Sequence, residues 1–130
     1  MSRPVHFEIH ADDPERAIEF YETALGWTFK HLEGRNYWLI ATGPADQAGI
    51  NGGLRQRQGA PPSADAAGTL VGFLCTVEVR DLDTHLKAVS NAGGSIVTGK
   101  HAVPGVGWIA YARDTEGNIF GLSQADPTAM

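Results

Sequence analysis

The sequence predicts an α+β fold made of two βαβββ units in tandem, and three observations carry that reading. First, a single offset of 68 residues lays Asp13 on Asp81, Gly26 on Gly94, Asp46 on Asp114, Gly49 on Gly117, Gly53 on Gly121 and Leu54 on Leu122 without a gap. Acidic caps and glycines that recur in fixed register mean that turns and close backbone approaches recur, which is the mark of a duplicated supersecondary unit. Second, each copy opens with an apolar strand pattern followed by an Asp-capped helical pattern. Third, each copy then breaks into short strand patterns separated by Gly- and Asn-containing turns. A duplicated unit places its site between the copies.

The first copy reads as follows. Val5 to Ala11 alternates apolar and polar residues, so Phe7 and Ile9 share one strand face while His6, Glu8 and His10 share the other. Asp13-Pro14 supplies an N-cap and a proline at the first helical position; Ala17, Ile18, Tyr21 and Leu25 follow at helical spacing until Gly26 stops the helix. Trp27 to His31 and Tyr37 to Thr42 are strands joined through Glu33-Gly34-Arg35, and Gly49 to Leu54 is a fourth, glycine-rich strand. The second copy has a strand over Leu74 to Val79 and a helix capped by Asp81 with Leu82, Leu86 and Val89 on one face, closed by Gly93-Gly94. Its remaining strands are Ser95 to Thr98, Trp108 to Arg113 and Ile119 to Gln124, the last two joined by the turn Asp114-Thr115-Glu116-Gly117-Asn118. The expected organisation is one domain over residues 1–130, with repeat 1 at 4–55, repeat 2 at 70–125, and a Gly-, Ala-, Pro- and Ser-rich flexible linker at 56–69.

Composition narrows the function classes. The 42% hydrophobic and 19% charged content suits a globular domain, and the formal net charge of -5 without a Lys/Arg cluster argues against a nucleic-acid partner. Cys75 is the sole cysteine, set in the strand pattern Gly72 to Val77, and excludes an internal disulfide. No apolar run approaches a membrane span and the N-terminus lacks a signal-like core, so the expectation is a cytoplasmic protein with no membrane partner. There is no Gly-x-Ser-x-Gly elbow, no Gly-x-Gly-x-x-Gly after a strand and no phosphate loop, which disfavours hydrolase, dehydrogenase and kinase readings.

Paired βαβββ units with the segments Phe20-Tyr21-Glu22-Thr23-Ala24-Leu25-Gly26-Trp27 and Asp114-Thr115-Glu116-Gly117-Asn118 resemble the vicinal oxygen chelate (VOC) superfamily of glyoxalase I, bleomycin-resistance proteins, extradiol dioxygenases and fosfomycin-resistance transferases. The second segment departs from the family pattern at Thr115, where proline is usual. The resemblance implies a cup-shaped mixed sheet, a small organic ligand bound in the cup, and a two-fold homodimer. It also implies four metal-ligand places, which fall here on His6, Gly53, Leu74 and Gly121; only His6 can bind a metal, so no metal site and no cofactor are expected. Glu8 and His10 are conceivable replacement ligands, but with His6 they span about 13 Å of extended strand.

The remaining polar candidates for the cup are His6 and Glu8, as ligand-orienting groups or a proton-transfer pair, and Tyr111, whose phenol can donate to a ligand oxygen. His10 reads as a rim residue, Trp27, Trp38 and Trp108 as core, and His31, His85 and His101 as surface. The leading expectation is a metal-free binding protein akin to the bleomycin-resistance group. The alternatives are a metal-dependent lyase or transferase of the glyoxalase I type, and a metal-free acid/base enzyme using His6 and Glu8.

Overall fold

A computed structural model describes residues 3–60 and 73–130. The chain runs β1 (His6–Ala11), α1 (Pro14–Leu25), β2 (Thr28–His31), β3 (Tyr37–Ala41), β4 (Asn51–Gln56), β5 (Thr76–Glu78), α2 (Leu82–Asn91), β6 (Ser95–Val103), β7 (Gly107–Arg113) and β8 (Ile119–Ala125). This is βαβββ twice. The strands form two four-stranded sheets, one per repeat, ordered β1-β4-β3-β2 and β5-β8-β7-β6. In each, the first strand pairs in parallel with the last and the other pairs are antiparallel. Residues 61–72, which hold most of the predicted linker, lie outside the described residues; Gln56 is the last residue of β4.

Local chemistry sets the helix ends. Asp13 accepts a hydrogen bond from the Arg16 amide at 3.2 Å and Asp81 one from the Thr84 amide at 3.1 Å, satisfying donors that a helix N-terminus leaves unpaired. Gly26 closes α1 in the left-handed conformation, φ 73°. In the second repeat that conformation belongs to Gly93, φ 101°, and not to Gly94, the residue in register with Gly26. Gly94 serves close packing: a Cβ there would stand 2.6 Å from the Arg113 carbonyl and 2.7 Å from the Phe20 ring. The same glycine register thus meets two different needs.

The core lies between the helices and one face of each sheet. Phe20, Leu54, Leu82, Val89 and Leu122 are its largest fully buried side chains. The Tyr21 ring stacks on Trp27 at 5.0 Å and meets Phe20 edge-on at 4.9 Å, and Phe20 reaches Phe120 of the second repeat at 6.2 Å. Trp27 is buried, and Trp38 and Trp108 pack against the core from its margin, as their strand positions predict. Cys75 is exposed, just ahead of β5. Among the described residues no helix is long and apolar enough to cross a membrane.

Candidate functional site

The alternation in β1 sorts its side chains as expected. Phe7 and Ile9 pack against the core and Ala11 is buried, while His6, Glu8 and His10 are exposed on the other face. Pairing extends that open face: His6 lies opposite Asn51, Glu8 opposite Gly53 and His10 opposite Arg55, and β3 sets Tyr37 opposite Arg55 and Leu39 opposite Gly53. Residues paired across neighbouring strands present their side chains on the same side of a sheet. One polar surface therefore gathers His6, Glu8, His10, Arg55 and Tyr37.

Its hydrogen bonds do not join His6 to Glu8. The Nε2 atom of His6 lies 3.0 Å from the Tyr37 hydroxyl, and Nε2 of His10 lies 2.7 Å from Oε2 of Glu8. Residues two apart on a strand share a face at about 6.6 Å, a spacing that long side chains can span, and Glu8 spans it toward His10 while His6 takes Tyr37 of β3. The His10 hydrogen bond, reinforced by the charges of His10 and Arg55, holds the Glu8 carboxyl below its ordinary value against the opposing effect of burial. Desolvation, followed by the neighbouring Glu8 carboxylate, raises the Tyr37 phenol. Glu8 is thus an anion and Tyr37 a neutral donor at neutral pH.

Tyr37 was not singled out by the sequence, yet a signal for it existed. Glycine inside a strand marks close approach by another group, and a Cβ built on Gly53 would collide with the Tyr37 hydroxyl and the ring carbon that bears it. The phenol occupies the space over Gly53, one of the four places at which the resemblance implies a metal ligand. Gly121, the equivalent position in the second repeat, is crowded by Oγ1 of Thr76, which would be 2.8 Å from a Cβ. Neither glycine can be replaced by a ligand side chain without displacing its neighbour, and among the described residues no three His, Cys, Asp or Glu side chains converge as a metal site. The residues present do not fit a metal centre of the family type.

Tyr111 is half-buried in β7, opposite Gly121 and Thr98. It belongs to the second sheet, whereas the hydrogen bonds of His6 and Glu8 stay within the first. His31 is exposed, its ring stacked on Trp38 at 4.7 Å, and His85 and His101 are near the surface with bonds only to local carbonyls. A separate open cleft of about 1300 Å³ is walled by Phe7 of β1, Val77 of β5 and Trp27, and neither His6 nor Glu8 lines it.

The C-terminal end of β1 is clamped by Arg57, just after β4, and by Asn118 of the second repeat. The His10 carbonyl accepts from Nη2 of Arg57 at 2.9 Å and from Nδ2 of Asn118 at 2.9 Å. Arg57 also donates to Asp12 at 3.1 Å and to the Glu116 carbonyl at 2.8 Å. The strand that carries Glu8 and His10 is held at its end by groups that are themselves largely out of water.

This architecture, a helix and a four-stranded sheet used twice, is the glyoxalase/bleomycin-resistance fold. The structure matches TioX from Micromonospora sp. ML1 with a TM-score of 0.69 at 22% identity, covering 96% of this chain and 100% of that one. It matches a glyoxalase/bleomycin resistance protein from Albidiferax ferrireducens T118 with a TM-score of 0.69 at 17% identity, covering 96% and 100%. Residues 3–43 match the family model for the bleomycin resistance protein-like N-terminal region. CFP32 of Mycobacterium bovis, which carries the name of a glyoxylase, is 27% identical over 123 residues, 92% of this chain and 43% of that protein. The chain spans less than half the length of that relative. Fold, N-terminal model and relatives together support a relationship to the vicinal oxygen chelate superfamily.

Proposed function

We propose that the chain binds a small organic molecule on the open sheet faces, without a metal or other cofactor, and that His6, Glu8 and Tyr111 orient it together with Tyr37. The observation that carries this reading is the His6–Tyr37 and Glu8–His10 arrangement over Gly53: polar groups on a face turned away from the core, standing where a metal ligand would otherwise be. A two-fold homodimer that brings the first repeat of one protomer against the second repeat of its partner would join Tyr111 to that group, and a cytoplasmic setting suits the lone unpaired cysteine.

A metal-free acid/base reaction is the second reading, favoured by the 3.0 Å contact of His6 with a phenol that can pass it a proton. The name glyoxylase borne by the mycobacterial relative keeps a glyoxalase-type lyase as a third.

A thermal-shift screen of metabolites and antibiotics, followed by calorimetric titration, tests the proposal. His6→Ala, Glu8→Gln and Tyr111→Phe should each weaken binding by about 1–3 kcal/mol, because each removes a hydrogen bond in a partly desolvated site. Phe7→Ala should lower stability by about 2–5 kcal/mol with ligand preference intact. Loss of affinity in Phe7→Ala at unchanged stability, with His6 and Glu8 variants binding normally, would move the site to the other face. One equivalent of zinc, nickel, iron or manganese per chain, lost in His6→Ala, would overturn the metal-free reading.

A further inference from the structure

Beside the His6 and Glu8 group lies a second concavity of about 340 Å³, walled by Leu32, Arg35, Asn36, Tyr37 and Arg55. It sits where the β2–β3 turn folds over the end of β4. We propose that this pocket is an oxyanion subsite that holds the carboxylate or phosphate of the ligand and so restricts that ligand to negatively charged small molecules; this rests on the open face being the binding face.

Two guanidinium side chains line so small a space, and among the described residues neither Arg35 nor Arg55 forms an ion pair. Glu8, which interacts electrostatically with Arg55, is engaged by His10 at 2.7 Å. Guanidinium groups present fixed forks of donors that match planar carboxylate and phosphate oxygens, and the Asn36 amide adds neutral donors.

The turn is fixed before any ligand arrives. The Leu32 amide donates to the Tyr37 carbonyl at 2.9 Å, the Arg35 amide to the Leu32 carbonyl at 3.1 Å, and Gly34 takes the left-handed φ of 78°. Nε2 of His31 lies 2.6 Å from the Arg35 carbonyl, which can only accept, so that nitrogen carries the proton, and Trp38 holds the ring by stacking. A prearranged turn avoids an ordering cost on binding. Tyr37 is common to both places: its register partner is Arg55 in the pocket and its hydroxyl meets His6 on the open face. An anion seated at Arg55 leaves the rest of the molecule against the Tyr37 hydroxyl, His6 and Glu8.

The test is an amide-resolved NMR titration of the intact chain with benzoate, phenyl phosphate and, as neutral control, benzamide, at constant ionic strength. Benzoate or phenyl phosphate should produce saturable shifts at residues 32–37 and 55 with benzamide at least about tenfold weaker, and the tighter of the two anions identifies the oxyanion. Arg55→Gln should weaken anion binding about tenfold at an unchanged melting temperature. Should Arg55→Gln fail to fold, Arg35→Gln gives the same reading, since Arg35 is an exposed turn residue. Equal binding of benzoate and benzamide, or full affinity in both arginine variants, overturns the subsite while leaving the open-face reading standing. Anion shifts confined to 32–37 and 55, with none at Asn51 and Gly53, would overturn the inference by removing the open-face reading on which it rests.

Discussion

The two repeats share a chain trace, but their helix–turn junctions have little chemistry in common. Where α1 meets the 114–118 turn, the Tyr21 hydroxyl donates to Asp114 at 2.5 Å, and Asp114 accepts the amides of Glu116 and Asn118 at 2.8 Å each. Glu116, its side chain fully out of water, receives Arg16 through two nitrogens at 2.7 and 3.0 Å, the Asp13 amide at 2.9 Å and the Thr115 hydroxyl at 2.9 Å. In register, the other junction replaces Tyr21, Arg16, Glu116 and Asn118 with Val89, Thr84, Ala48 and Ile50. Its acidic residue, Asp46, is exposed with the rest of the 43–50 turn, and the large open cleft lies between that turn and β5. Duplication supplies the geometry of a turn, and the donors around it decide whether the turn becomes a docking element. The built junction reaches β1 through Asn118, with Arg57 bonded to both the Glu116 and His10 carbonyls, and so helps to position Glu8 and His10.

Four substitutions bear on that contrast. The largest effect is expected for Phe20→Ala, about 3–5 kcal/mol by chemical denaturation, because a fully buried ring that bridges the repeats leaves a cavity. A loss under about 1 kcal/mol would mean that the repeats do not depend on the built junction.

Glu116→Gln should cost about 1.5–3 kcal/mol at neutral pH, and the cost should be pH-dependent. Burial alone would raise the Glu116 carboxyl, but the hydrogen bonds from Arg16, Asp13 and Thr115 together hold it below its ordinary value of 4.5. Its contribution is therefore present above about pH 4.5 and lost as pH falls through the lower folded value. Asp114 has the opposite sign: burial, larger than the hydrogen bonds that oppose it, raises its carboxyl, so its ionisation costs stability as pH rises from 3.8 through the raised value. The difference between wild type and Glu116→Gln isolates the first effect, and stability curves measured from pH 3 to 7 should converge at the acid end.

Tyr21→Phe, which removes one donor from buried Asp114 and keeps the ring stack with Trp27, should cost about 1–2 kcal/mol. Asp46→Ala, the same register position as Asp114 in the exposed turn, should stay within about 0.5 kcal/mol. A cost for Asp46→Ala equal to that of Tyr21→Phe would show that the second junction is built as well.

Most of the fold was legible because it rests on local rules. The capping aspartates, the glycine stops and the alternation of β1 each act within a few residues, and all appear where the sequence puts them. Legibility failed where one residue type serves two purposes. Gly26 and Gly94 align, but the first closes a helix and the second admits the Phe20 ring and the Arg113 carbonyl. The site was half legible. The common face of His6, Glu8 and His10 follows from period two, whereas Tyr37 comes to Gly53 through the pairing of β3 with β4. Gly53 marked that something approaches closely, not which side chain.

By itself the sequence determined the duplicated βαβββ order, the helix limits and the two faces of β1, since these depend on backbone preferences and apolar period over short separations. Only the tertiary structure decided that His6 is partnered by Tyr37 and Glu8 by His10, that Arg35 and Arg55 share a pocket, and that one of two equivalent turns docks. Those outcomes depend on strand register and on distances between residues 2 to 108 positions apart, where a side chain bonds whichever group the packed backbone brings within about 3 Å.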